Sequence, residues 1–145
     1  MNSFREGYDT VYYLNREGRD YVDAKRQLRK NQFVQHTLWR NDFFIFKGKP
    51  SYWRNEIRVG NSSQSIICDT LFKENGKMYI LEVDRTQKMS INKEKAIIYK
   101  DLSSKMKDFP TVIWLTGTEH RRKQLIKVCA ELGLACKVYT SEDIL

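Results

Sequence analysis

The chain has 145 residues, 41% hydrophobic and 30% charged, which suits one globular domain with one core, and no stretch is long or apolar enough to cross a membrane. The polar start from Met1 to Thr10 carries no secretory signal, and Cys68, Cys129 and Cys136 lack the paired spacing of a zinc or redox motif, so they read as reduced, mostly buried thiols of a cytoplasmic protein. A formal net charge of +8 favours a polyanionic partner such as DNA or RNA.

In chain order, Asp9-Thr10-Val11-Tyr12-Tyr13-Leu14 predicts a short strand, and the charged run from Arg16 to about Leu28 predicts a helix. A second helix is predicted from Asn31 to about Phe46, with Val34, Leu38, Asn41 and Ile45 on its inward stripe and Phe33, Trp39 and Phe44 broadening it. Lys47-Gly48-Lys49-Pro50 ends it. The segment from Trp53 to Val59 reads as the first strand of a sheet, and Gly60-Asn61-Ser62-Ser63 as the turn after it. Asn75-Gly76 then sits between two runs rich in apolar and β-branched residues, the pattern of a two-residue hairpin whose central positions both need positive φ. Three strands in meander order result. A helix follows from about Ile91 to Met106, and after Pro110 the nearly unbroken apolar run Thr111-Val112-Ile113-Trp114-Leu115 predicts a strand buried on both faces. Thr118 can cap a helix that ends at Gly133 and turns Leu125, Val128, Cys129 and Leu132 inward, and a last strand runs from Ala135 to Tyr139. From Asn31 onward the order is α-β-β-β-α-β-α-β, an α/β fold with helices packed on a mixed sheet.

The hairpin carries the chemistry. With Glu74 opposite Lys77, Asp69 lies across from Glu82, and Asp84 falls on the same face two residues further on. Opposed carboxylates, with side-chain roots about 5 Å apart, weaken a sheet unless a cation sits between them. A magnesium or manganese ion held by Asp69, Glu82 and Asp84 meets that need, because hard cations prefer oxygen ligands. Lys95 shares the predicted inward stripe of its helix with Ile91, Ile98 and Leu102, and Tyr99 points the same way one turn later. The plainer alternatives are a surface neutralised by Arg54, Arg58, Arg85 and Lys88, and a Lys95 that snorkels to water. His36 reads as a hydrogen-bonded structural residue. His120, at a helix start with Arg121, Arg122 and Lys123, fits a phosphate contact or a solvated face.

This order, with acids on the second and third strands of the sheet, resembles the restriction-endonuclease-like PD-(D/E)XK core over about Asn31 to Tyr139. In finer detail the chain resembles the replication-relaxation family of bacterial plasmids and mobile elements. The stretches that carry this are His36-Thr37-Leu38 with Asn41-Asp42, Trp53 with Glu56, Ile67-Cys68-Asp69, Leu81-Glu82-Val83-Asp84-Arg85, and Lys95 with Tyr99. Val11-Tyr12-Tyr13-Leu14-Asn15-Arg16-Glu17-Gly18 resembles the closing strand of that family's winged helix and the turn after it.

The resemblance implies a winged-helix remnant over residues 1–30 and a nuclease-fold domain over 31–145. It implies a catalytic set of Asp69, Glu82, Lys95 and Glu56, with Tyr99 and Gln87 in support. The basic residues Arg85, Lys88, Arg121, Arg122 and Lys123 are, apart from the resemblance, the candidates for contact with nucleic acid. Asp84 departs from the pattern, which places a lysine two residues after the second acid; Lys95 is the candidate replacement. The function implied is metal-dependent cleavage or nicking of DNA in plasmid or mobile-element replication. The alternatives are a catalytically inactive nuclease fold that binds DNA or regulates replication, and an interaction module that self-associates or joins a replication complex.

Overall fold

A computed structural model describes the backbone of residues 2–6, 9–13 and 30–145, and the side chains from Val34 onward. Strand β1, Asn2–Glu6, pairs antiparallel with β2, Asp9–Tyr13, as a two-stranded sheet. β2 falls where the sequence predicts a strand, whereas β1 has one apolar residue, Phe4, and no alternation to announce it. The helix expected from Arg16 to Leu28 lies outside the described residues.

From Lys30 the elements are α1 (Lys30–Phe46), β3 (Trp53–Gly60), β4 (Ser65–Glu74), β5 (Lys77–Asp84), α2 (Met89–Lys105), β6 (Thr111–Thr116), α3 (Glu119–Leu132) and β7 (Cys136–Thr140). The last five strands form one mixed sheet in the order β3-β4-β5-β6-β7, antiparallel through β5 and parallel after it. Asn75 and Gly76 take φ of 52° and 79°, as a primed turn requires, and the register runs from Glu74↔Lys77 to Thr70↔Leu81. Thr118 caps α3 by accepting from the Arg121 N–H at 3.1 Å, and Gly133 ends it in the left-handed region.

Both parallel connections step the same way across the sheet, so right-handed crossovers bring α2 and α3 to one face. There Leu71, Ile80 and Trp114 meet Ala96, Tyr99, Leu102, Leu125 and Cys129 in the larger core. Phe72, Leu81, Val83, Ile113 and Leu115 line the opposite face under Phe43 and Trp39 of α1. β6 is therefore buried on both sides, as its apolar run predicts. Cys68 and Cys129 are buried and Cys136 half-buried, all as free thiols.

Two helices are rotated from their expected phase. On α1 the expected stripe faces out, with Val34, Leu38 and Ile45 exposed by 50%, 48% and 60%, while Phe43 and Arg40 turn inward. Apolar residues lie all round this helix, so periodicity offers more than one stripe. The ring contacts of Phe43 with Phe72 and Tyr139, and the pairing of Arg40 with Glu56, select the face. On α2 the buried positions are Asn92, Ala96, Tyr99 and Leu102, which leaves Ile91 exposed and puts Lys95 at the stripe's border. The small Ala96 admits close packing, and Asn92 finds a hydrogen-bonding partner that makes its burial tolerable.

Candidate functional site

β3 and β4 change sides midway. Trp53 and Phe72 are ladder partners on the α1 face, yet Ile57 and Cys68, partners further along the same ladder, belong to the α2–α3 core. Strict alternation would put Trp53 and Ile57 on one face. The inversion falls between Asn55↔Thr70 and Ile57↔Cys68, at Glu56 and Asp69, and Glu56 takes φ of 54°, rare for a residue with a side chain. On its other side β4 leaves β5 at the same level: their ladder ends at Thr70↔Leu81, while on its far edge β5 continues to pair with β6 through Asp84↔Thr116.

Side chains of the two acids fill the gap. The Asp69 carboxylate accepts from the Val83 N–H at 2.7 Å, and the Glu82 carboxylate accepts from the Asp69 N–H at 3.3 Å. Asp69 and Glu82 thus meet across the hairpin as its register implies, but at a parting of strands rather than on a flat ladder. Lys95 reaches in from α2 and donates to Glu82 Oε1 at 2.9 Å, so its amine faces a carboxylate and not bulk water. Tyr99 donates its hydroxyl to Glu82 Oε2, also at 2.9 Å. From the opposite helix His36 Nε2 lies 3.2 Å from Asp69 Oδ2, and Arg40 lies 3.3 Å from Glu56.

The electrostatics separate the two central acids. Burial and the neighbouring Asp69 charge push Glu82, only 1% exposed, up to about 7 despite the opposing pull of Lys95 and Tyr99. Burial acts the same way on Asp69, but the hydrogen bond and charge of His36, with the charge of Lys95, outweigh it and hold Asp69 below the usual range. For Lys95, burial favours the neutral amine, and Glu82 and Asp69 overcome this and keep it protonated well beyond neutral pH. Burial and Glu82 likewise raise Tyr99, and burial with the charges of Glu82, Asp69 and Glu56 raises Cys68. Glu56 also acts on Lys95, so three carboxylates share one field with a lysine.

Asp84 goes elsewhere. It shares the face of Glu82 by alternation, but its carboxylate takes Arg121 in a two-point pair at 2.8 and 2.9 Å and the Thr116 hydroxyl at 2.8 Å. The third acid near Asp69 and Glu82 is accordingly Glu56. Of the basic residues expected on nucleic acid, Arg121 is engaged by Asp84 and the Gln87 carbonyl, and Arg122 by Glu119 and Asp143. Arg85, Lys88 and Lys123 remain exposed near the ends of β5, α2 and α3. Gln87 hydrogen-bonds Asn92. Among the described residues no group of three or more His, Cys, Asp or Glu side chains is gathered tightly enough to hold a metal ion.

Two participants lay outside the site expected from sequence. The sequence reads His36 as a structural residue and gives Arg40 no role, although their spacing of four residues puts both on one helix face with Phe43. Polar residues that share a stripe with Phe43 are the signal that could have drawn them in.

No family model matches the sequence, and no curated protein matches it. Among solved structures the chain is similar to protein VC1899 from Vibrio cholerae, with a TM-score of 0.50 and 14% identity over 98% of this chain. The match takes in 36% of that longer chain, and at such identity it speaks to the fold alone.

Proposed function

We propose that this chain is a metal-dependent DNA endonuclease or nickase with a variant PD-(D/E)XK site, acting in the replication of a plasmid or mobile element. The observation that carries the reading is the Lys95 ammonium 2.9 Å from Glu82, beside Asp69. A helix thereby supplies the cation that the superfamily pattern takes from the position of Asp84. On this reading α1 to β7 form a restriction-endonuclease-like core of the replication-relaxation type, and the segment of β1 and β2 corresponds to the closing part of a winged helix.

Asp69 and Glu82, joined by hydrogen bonds across the hairpin, would hold magnesium or manganese as a two-carboxylate pair. The donors fit the ion: all are carboxylate oxygens, and magnesium keeps several waters and needs only one or two carboxylates from a protein. Glu82 resists ionisation first because it is buried and second because of Asp69, and a dication at this position would favour its charged form. When bound, the ion supplies Lewis-acid polarisation of the phosphate and a more acidic water.

The chain's own residues do the rest. Lys95 stays protonated and balances charge that develops on phosphoryl oxygens. Tyr99 fixes the orientation of Glu82, and His36 that of Asp69. Exposed Arg85, Lys88 and Lys123 would meet backbone phosphates, which positions the strand without reading its sequence.

Supercoiled and linear DNA incubated with purified protein and magnesium or manganese tests this. Metal-dependent nicking should fall by at least about a hundredfold in Asp69→Ala, Glu82→Ala and Lys95→Ala. Cleavage that ignores the metal or survives these changes sinks the proposal. The commitment of Asp84 to Arg121 favours, as a second reading, a nuclease fold that only binds DNA. Under it no cleavage occurs, and salt-sensitive binding persists without Glu56, Asp69, Glu82 and Asp84.

A further inference from the structure

We infer that Asp84 is a positioning residue for Lys95, acting through a strap that runs from β5 to the start of α2. Its consequence for catalysis rests on the nuclease reading above; the strap itself does not.

Asp84 is fully buried and gripped at two points by Arg121, with Thr116 on the same oxygen as the arginine Nε. A two-point arginine–carboxylate pair fixes direction as well as distance, and burial keeps water from competing for it. Arg121 also donates to the backbone carbonyl of Gln87, in the segment that links β5 to α2. The Gln87 amide in turn donates to Oδ1 of Asn92, which is fully buried in the first turn of α2.

Besides this chain, the turn is held by Met89, which packs on the larger core and takes the Asn92 amide on its sulfur at 3.8 Å. Lys88 at the cap position makes no side-chain capping bond, and no acidic residue occupies the first turn. A helix start without a cap frays readily, so the Asp84-Arg121-Gln87-Asn92 chain adds the directional, polar hold that Met89 packing alone does not give. Lys95 lies three residues beyond Asn92, on the neighbouring helical position, and its amine must keep a 2.9 Å reach to Glu82. The aspartate in the superfamily's lysine position thus orients the helix that carries the lysine's replacement.

The test combines kinetics with a spectroscopic readout, using Asp84→Asn, Gln87→Ala and Lys95→Ala alone and in pairs. Gln87→Ala is included because Gln87 is half-buried at the surface and its loss spares the core, so the test stands even if Asp84→Asn fails to fold. Each strap variant should lower kcat about tenfold with KM little changed, and should cost nothing more in the Lys95→Ala background, since the effect runs through that lysine. The nitrogen-15 resonance of the Lys95 ammonium, protected by Glu82 in the parent protein, should broaden or shift in Gln87→Ala. A further loss of kcat on top of Lys95→Ala, or an unchanged Lys95 resonance, overturns the inference. If the parent protein does not cleave DNA at all, the nuclease reading fails, and the resonance alone decides the strap.

Discussion

Replacing Glu82 with glutamine in the metal-free protein should remove a pH dependence of stability that the buried acid imposes. In the folded chain Glu82 ionises at about 7, against an ordinary value of 4.5, because burial and Asp69 disfavour its charge. Between those values the folded chain holds a proton that the unfolded chain has released. Stability is therefore full below pH 4.5, falls as pH climbs toward 7, and is level above that. The gap corresponds to about 3 kcal/mol. Asp69 works in the opposite sense and in another window: its lowered value adds stability above its ordinary 3.8 and loses it as pH falls below that. Urea unfolding followed by tryptophan fluorescence at pH 5, 6, 7 and 8, with chelator present, measures both proteins. The difference between them isolates Glu82, since both histidines are common to the pair. The parent should lose about 2–3 kcal/mol relative to Glu82→Gln across that range, the rest of the gap lying below pH 5. Parallel curves would refute the buried, charge-opposed setting of this acid.

Added magnesium or manganese should reverse the same deficit at pH 8, stabilising the parent by about 3 kcal/mol at a hundred times the dissociation constant. Calorimetric melting of the parent against Asp69→Ala with Glu82→Ala checks it, the double variant gaining nothing. Phe43→Ala should cost about 3–5 kcal/mol in chemical denaturation, because Phe43 fills the core under α1, whereas Leu38→Ser on the outward stripe should cost under about 1 kcal/mol. A larger cost at Leu38 than at Phe43 would mean the helix is rotated as the sequence pattern proposes. Arg85→Ala with Lys88→Ala should weaken DNA binding at all sequences and reduce the slope of log affinity against log salt by about 2, read by fluorescence anisotropy across a salt series.

Local chemistry made much of this protein legible from its letters. Asn75-Gly76 dictates a turn with two positive φ angles, the turn dictates the register, and the register brings Asp69 to Glu82. Thr118 and Gly133 bracket α3 for equally local reasons, and the apolar run from Thr111 announced a strand covered on both faces. These features depend on residues near one another in the chain, so short-range sterics and hydrogen bonding settle them.

Which way each helix faces was decided only in three dimensions. Apolar residues surround α1, and it is Phe72, Tyr139 and Glu56, distant in sequence, that select the side carrying Phe43 and Arg40 and so deliver His36 to Asp69. The same holds for Asp84: alternation along β5 places it beside Glu82, but Arg121, in the first turn of α3, outcompetes that arrangement with a two-point buried pair. Alternation and periodicity assign a side chain to a face, while its charge partner is set by whichever opposite charge the packed elements bring within hydrogen-bonding reach. That is a property of the assembled layers, and no stretch of sequence contains it.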